Sequence, residues 1–335
     1  MQSPLPKRNA ALIGEPHSIH RVYAQGRREI LAAKTELFPQ IVTRDNLESL
    51  LPQLQNTEVF FSTWGMLALS AQQLQALPKL RAVFYAAGTV QYFARPFLER
   101  GIVVMSAWAA NAVPVAQWTT AQILLANKGY WRNAREFKAT RAKAHSFRGC
   151  GNFGATVALL GAGQIGRLVV DLLRPFDLKI CVFDPFLSDE AASAMGVEKV
   201  ELLEAFARGD VVSNHIANLP ATVGMLRREH FAAMKPNATF INTGRGATLV
   251  ESELIETLQK RSDLTALLDV TYPEPPPENS PLWELPNAHL TSHIAGSIGD
   301  EVVRMADYAL EEFERWQNAE PLRYAVSPEM LETMA

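Results

Sequence analysis

The stretch that decides the fold runs from Gly154 to Asp184 and reads GATVALLGAGQIGRLVVDLLRPFDLKICVFD. Its first part, Ala155 to Leu160, is a short apolar run of the kind that forms a buried strand. It passes directly into Gly161-Ala162-Gly163-Gln164-Ile165-Gly166. Apolar residues then recur at helical spacing from Arg167 to Phe176, with Pro175 closing the run, and a second apolar strand from Lys179 to Phe183 delivers Asp184. Strand, glycine turn, helix, strand and acid in this order form a dinucleotide-binding fingerprint. Gly161 permits the tight turn, Gly163 lets the backbone approach a pyrophosphate, and Gly166 lets the helix lie close on the strand. Gln164 and Ile165 open the helix, so their N–H groups and the positive end of the helix dipole face the phosphates. Asp184 stands where a carboxylate accepts hydrogen bonds from an adenosine ribose.

Composition is consistent with a chain of this kind. With 335 residues, 48% of them hydrophobic, two domains with separate cores are expected. The formal net charge is -3 with both signs interspersed, which speaks against a nucleic-acid or membrane-surface protein. The two cysteines, Cys150 and Cys181, make no disulfide framework, and a reducing, cytoplasmic setting is expected. Lys7 and Arg8 are followed by no apolar leader core, and residues 1–10 read as a frayed tail. No Cys/His cluster has the spacing of metal ligands, so no metal is expected.

Before the glycine turn, short apolar runs alternate with longer amphipathic ones, the pattern of a parallel sheet covered by helices. Strands are predicted at Ala11–Gly14, Gln40–Thr43, Glu58–Thr63, Ala82–Ala86 and Ile102–Ser106, and helices at Asn46–Leu54 and Ser70–Leu77. This part has no second glycine fingerprint and reads as a flavodoxin-like α/β domain that binds something other than the dinucleotide. Asn111–Asn127 reads as a helix crossing into the cofactor half. Lys128–Cys150 then carries Tyr130, Trp131, Phe137 and Phe147 among seven Lys and Arg residues, and is read as an arm that packs on a second subunit rather than as a nucleic-acid patch. After Asp184 the strands are predicted at Val211–His215, Thr239–Asn242, Leu264–Asp269 and Ala288–Thr291. Five prolines within Pro273–Pro281 make that segment a stiff surface loop. Gly299–Trp316 reads as the return helix.

Ligands of doubly wound sheets bind beyond the carboxyl ends of the strands. Three segments there end in reactive side chains: Arg245 in Asn242-Thr243-Gly244-Arg245-Gly246, Glu274 in the proline-rich loop, and His293 in Thr291-Ser292-His293-Ile294-Ala295-Gly296. With these residues in place the chain resembles the D-isomer-specific 2-hydroxyacid dehydrogenase family. The resemblance extends from Ala87-Gly88-Thr89 to the helix after His293, through Met234-Lys235-Pro236, Ile241–Gly246, Leu268-Asp269-Val270 and Ser280–Asn287.

The resemblance implies two doubly wound parallel-sheet domains, a Rossmann NAD-binding domain (111–302) inserted into a flavodoxin-like substrate domain (1–110 plus 303–335), with the site in the cleft between them. It implies NAD as cofactor, held by Gly161, Gly163, Gln164, Ile165, Gly166, Asp184, Thr243 and Asp269, the last facing the nicotinamide side. The substrate, a small 2-keto acid or D-2-hydroxy acid, would be bound by Arg245 and by backbone N–H groups of Ala87, Gly88 and Thr89. Arg245, Glu274 and His293 would form the catalytic set, and a homodimer is expected. The chemistry asks for such a set. Hydride transfer to a carbonyl leaves negative charge on its oxygen, which a nearby proton donor and a permanent cation both stabilise. A carboxylate beside an imidazole favours imidazolium and fixes the tautomer. His215, also after a strand, matches a structural position of the family.

The chain departs from the family pattern in places. Val115-Ala116-Gln117-Trp118 stands where Val-Ala-Glu-His is frequent, and Ile216-Ala217-Asn218-Leu219 follows His215. The loop Ser62-Thr63-Trp64-Gly65 lacks Lys and Arg, which favours a neutral or apolar substrate side group over a phosphorylated one. Two alternatives share the pattern: a phosphite-type dehydrogenase of the same fold, and an NAD-sensing corepressor-like binding protein.

Overall fold

The computed structural model describes residues 6–332. The chain forms two compact units: one ends at Asn111 and resumes at Ser297, and the other is Ala112–Gly296.

The first unit holds a five-stranded sheet of β1 (Arg8–Ile13), β2 (Thr35–Leu37), β3 (Val59–Ser62), β4 (Ala82–Tyr85) and β5 (Val103–Ser106), in the order β2-β1-β3-β4-β5. All its pairings are parallel. That is the flavodoxin-like order expected of this part of the chain. β3 and β4 are buried along their whole length, because helices cover both faces of a parallel sheet. The aromatic centre of the core is Phe61, Phe84 and Phe313, with ring centroids 5.1–5.6 Å apart.

Two local expectations fail here. Arg8 already belongs to β1, so the frayed tail expected over residues 1–10 does not reach that far; residues 1–5 lie outside the described residues. The second strand is Thr35–Leu37, whereas Gln40–Thr43 contributes only a single bridge from Val42 to Ile13. β2 follows the helix Arg27–Lys34 without a turn residue to mark the change, so no punctuation in the sequence announces it.

The second unit holds seven parallel strands: β6 (Phe153–Leu160), β7 (Asp177–Phe183), β8 (Glu198–Lys199), β9 (Val211–Asn214), β10 (Thr239–Asn242), β11 (Thr265–Leu268) and β12 (Ala288–Leu290). Their order is β12-β11-β10-β9-β6-β7-β8, so the sheet turns outward in both directions from the β6/β9 pair. Register aligns Phe183, Leu160, Asn214, Asn242, Leu268 and Leu290 in one row. The residues that follow, among them Gly161, Asp184, His215, Thr243 and Asp269, therefore share the carboxyl edge.

The helix Trp108–Asn127 contains Pro114 and starts earlier than its sequence suggests. Tyr130–Thr140 is also helical. Trp131 is partly buried against the core of its own unit and its ring lies 5.2 Å from that of His289. Part of its surface is therefore already covered within its own unit. Tyr130 and Phe137 are 49% and 52% exposed.

Candidate active site

The glycine turn of the second unit is built for a close-approaching ligand. Gly161 has φ +103°, a left-handed conformation, and a Cβ there would lie 2.9 Å from the His215 carbonyl oxygen. A Cβ on Gly166 would collide with the Gly161 carbonyl oxygen, so only glycine lets the helix Gln164–Leu173 start this close to the strand. Around Gly163 the position of a Cβ is open, and no side chain caps the helix that starts there. The first-turn N–H groups, including those of Gln164 and Ile165, are therefore presented at an unobstructed helix start. Asp184 supports this turn directly. Its Oδ2 accepts the Ala162 N–H at 2.6 Å and its Oδ1 accepts the Phe186 N–H at 2.8 Å. Each carboxylate oxygen has a further lone pair, so Asp184 braces the turn and keeps acceptor capacity for a ribose. These features fit a dinucleotide.

At the opposite flank of the sheet, His293 Nδ1 and Glu274 Oε1 are 2.7 Å apart. Both side chains are partly exposed, so the imidazole edge is reachable. His293 adopts φ +59°, an uncommon conformation for a residue with a side chain. Asp269 holds it there. The Asp269 carbonyl accepts the His293 N–H at 3.0 Å. The Asp269 carboxylate accepts Thr291 Oγ1 at 2.6 Å, the Ile294 N–H at 2.8 Å and the Ala295 N–H at 2.9 Å. Asp269, expected on the nicotinamide side, is 1% exposed, and its carboxylate grips the loop on both sides of His293.

Arg245 is half-buried, with Nη1 donating to the Gly244 carbonyl at 2.9 Å. Burial pulls its guanidinium down from the usual range, and the charge of nearby Glu274 opposes that shift. An arginine remains charged under such a shift. Glu274 thus touches His293 and faces Arg245 electrostatically. Its loop is anchored by Glu251, whose Oε2 accepts the Tyr272 N–H at 3.1 Å.

Thr243 follows β10 at the carboxyl edge. Its hydroxyl lies 3.1 Å from His215 Nδ1 and 3.5 Å from the Thr119 hydroxyl, while His215 Nε2 meets Ser213 Oγ at 3.0 Å. With both ring nitrogens engaged and the ring desolvated, His215 is pushed down to about 4 and stays neutral. It is a structural histidine.

In the first unit, the turn after β4 has its carbonyls held inward. Thr63 Oγ1 donates to Ala86 O at 2.7 Å, and Ser106 Oγ lies 2.9 Å from Ala87 O and 2.5 Å from Gly88 O. Across a trans peptide the N–H points opposite to the carbonyl, so the N–H groups of Ala87, Gly88 and Thr89 are turned away from those hydroxyls. A Cβ on Gly88 would meet nothing within 4 Å. Thr63 and Ser106 thereby fix the orientation of these peptide planes. The two belong to no motif; their only signal is a hydroxyl at the end of an apolar strand.

A parallel sheet with a glycine turn, a bracing acid after the next strand and a His–Glu pair at its carboxyl edge defines an NAD-binding oxidoreductase fold of the Rossmann type. Residues 120–295 match the family model described as "D-isomer specific 2-hydroxyacid dehydrogenase, NAD binding domain". The chain belongs to the D-isomer specific 2-hydroxyacid dehydrogenase family. It is 28% identical over 260 residues to the D-3-phosphoglycerate dehydrogenase of Archaeoglobus fulgidus, covering 77% of this chain and 49% of that protein. The chain therefore spans about half the length of the curated relatives it matches. Among solved structures, a phosphoglycerate oxidoreductase from Rhizobium etli aligns with TM-score 0.81 at 22% identity, over 97% of this chain and 100% of that one. The apo D-mandelate dehydrogenase of Rhodotorula graminis aligns with TM-score 0.80 at 21% identity, over 96% and 98%. Both likenesses concern the fold.

Proposed function

We propose that the chain is an NAD-dependent oxidoreductase that interconverts a small 2-oxo acid and its D-2-hydroxy acid, the activity that the names of its relatives suggest. The observation that carries this reading is the 2.7 Å contact between His293 Nδ1 and Glu274 Oε1. When bound, the nicotinamide supplies the hydride donor or acceptor. The residues that would hold it are the Gly161–Gly166 turn and Asp184. With Nδ1 held by Glu274, the proton given to the substrate oxygen during reduction comes from His293 Nε2, which takes it back during oxidation. The Glu274 carboxylate stabilises the imidazolium, and Arg245 stabilises charge growing on the substrate oxygen. The Ala87–Thr89 amides hold the substrate carboxylate, which makes the unit ending at Asn111 and resuming at Ser297 the substrate domain.

The protein works as a homodimer in this reading, through the exposed Tyr130 and Phe137 of the helix Tyr130–Thr140. Among the described residues no helix is long and apolar enough to cross a membrane. Both cysteines are free thiols, which supports a reducing, cytoplasmic setting. Loss of NADH absorbance with a panel of 2-oxo acids tests the activity: turnover of at least one supports it, and inertness across the panel with intact NADH binding contradicts it.

A further inference from the structure

We infer that the substrate side group is uncharged and apolar, an aryl or branched alkyl group, and that Trp64 and Tyr92 form the wall that receives it. This inference rests on the 2-oxo-acid activity proposed above and narrows it. Register aligns Ile13, Ser62, Tyr85 and Ser106 across β1, β3, β4 and β5, so the residues after them share the edge that carries the Ala87–Thr89 turn. The side chains at that edge are distinctive in charge. Residues 59–78, 82–94 and 101–111 contain no Lys, Arg, Asp or Glu. In the proposed activity the Ala87–Thr89 amides hold one carboxylate, and these loops supply no cation for a second anionic group.

Two charged side chains border this edge from the β1 side. Glu15 lies against the loop after β3, where a Cβ on Gly65 would fall 2.5 Å from the Glu15 Cβ. Its carboxylate adds repulsion to any anionic side group nearby. Arg21 lies over the Trp64 ring, 5.9 Å from the centroid, and so backs the indole.

The loops themselves are braced for an apolar contact. Thr63 Oγ1 ties the loop after β3 to Ala86 O. Tyr92 follows the turn after β4 and packs beside Phe93. Tyr85 is buried, with its ring 4.9 Å from that of Phe93, which also packs edge-on with Tyr92 at 5.1 Å. Tyr92 is thus supported on one side by Phe93 while remaining 51% exposed, and Trp64 is half-buried. Partly exposed aromatic rings on uncharged loops suit a ligand whose remainder, beyond the one carboxylate of a 2-oxo acid, is apolar. A phosphate placed there would find no cation in the loops after β3, β4 and β5, and Arg21, which lies beside them, is engaged behind the indole.

The experiment compares kcat/KM for phenylpyruvate, 4-methyl-2-oxopentanoate, glyoxylate, oxaloacetate and phosphohydroxypyruvate at saturating NADH. The two apolar substrates are expected to exceed oxaloacetate and phosphohydroxypyruvate by about 100-fold or more. The Trp64→Ala variant should lower the phenylpyruvate-to-glyoxylate ratio about tenfold, and Trp64→Phe should restore much of it. Preference for oxaloacetate or phosphohydroxypyruvate overturns the inference while leaving the dehydrogenase reading standing, and its loss in Arg21→Ala would then name Arg21 as the partner of the charged group. A ratio unmoved by Trp64→Ala, in protein that still binds NADH, also overturns it. Failure to reduce any of the five contradicts the dehydrogenase reading itself, and the inference falls with it.

Discussion

The N–H of His293 is hydrogen-bonded to the carbonyl of Asp269 at 3.0 Å, and the Asp269 carboxylate holds the N–H groups of the two residues that follow the histidine. One buried acid at the end of β11 therefore sets the backbone that presents the imidazole. Replacing Asp269 by Asn turns one acceptor oxygen into a donor facing backbone N–H groups. The variant should lose about 1–3 kcal/mol of stability, the cost of a buried group left without its partner. It should also lose kcat more than NADH affinity, because the His293 loop loosens while the glycine turn does not. Urea unfolding and steady-state kinetics on the same preparation check both; unchanged kcat would show that the loop holds itself.

Asp184 governs cofactor choice by charge. A 2'-phosphate beside it would place like charges about 4 Å apart, costing roughly 1–4 kcal/mol at a partly exposed site. NADH should therefore be used in preference to NADPH by about tenfold or more in kcat/KM. Since Asp184 also braces Ala162, Asp184→Ala should weaken binding of both cofactors rather than exchange them. Equal use of the two by the wild-type protein would remove the carboxylate from this role.

His215 makes a pH-dependent contribution to stability whose sign is fixed by burial. Its folded value of about 4 lies below the ordinary 6.5, so between these values the unfolded chain binds the additional proton. Stability from this residue is complete above about pH 6.5 and is lost as pH falls toward 4. In urea titrations, wild type should therefore lose stability across that window more steeply than His215→Gln. Parallel pH profiles for the two would contradict a half-buried imidazole held neutral.

The exposed aromatics of the helix Tyr130–Thr140 mark the surface assigned to the dimer. The protein should sediment at twice its 37.1 kDa chain mass, and the Tyr130→Asp, Phe137→Asp double variant should sediment as monomer. Trp131 packs on its own unit, so Trp131→Asp should unfold the protein rather than merely separate subunits. A wild-type monomer at micromolar concentration contradicts the assignment.

The fold was legible wherever a local pattern had a local cause. Gly161, Gly163 and Gly166 announce the turn because each answers a backbone requirement within a few residues, and Pro273–Pro281 excludes regular structure by its own chemistry. β2 was not legible, because three residues after a helix leave no periodicity to read. The work of Asp269, Thr63 and Ser106 was hidden for a different reason. Asp269 meets Thr291 and Ala295 only once β11 and β12 pair, and Thr63 reaches Ala86 only once β3 and β4 do. The inward packing of Trp131 was not legible either, because an aromatic among basic residues has the same composition whether it packs inward or on a partner.

The central claim is that His293, held by Glu274, moves the proton. It is tested most directly by kcat for 2-oxo-acid reduction in His293→Ala beside the NADH dissociation constant of the same variant. The account predicts a loss of kcat of about 10²- to 10⁴-fold, the range for a missing general acid, with NADH affinity nearly unchanged because the glycine turn and Asp184 are intact. A variant that binds NADH and turns over at a near wild-type rate would contradict it.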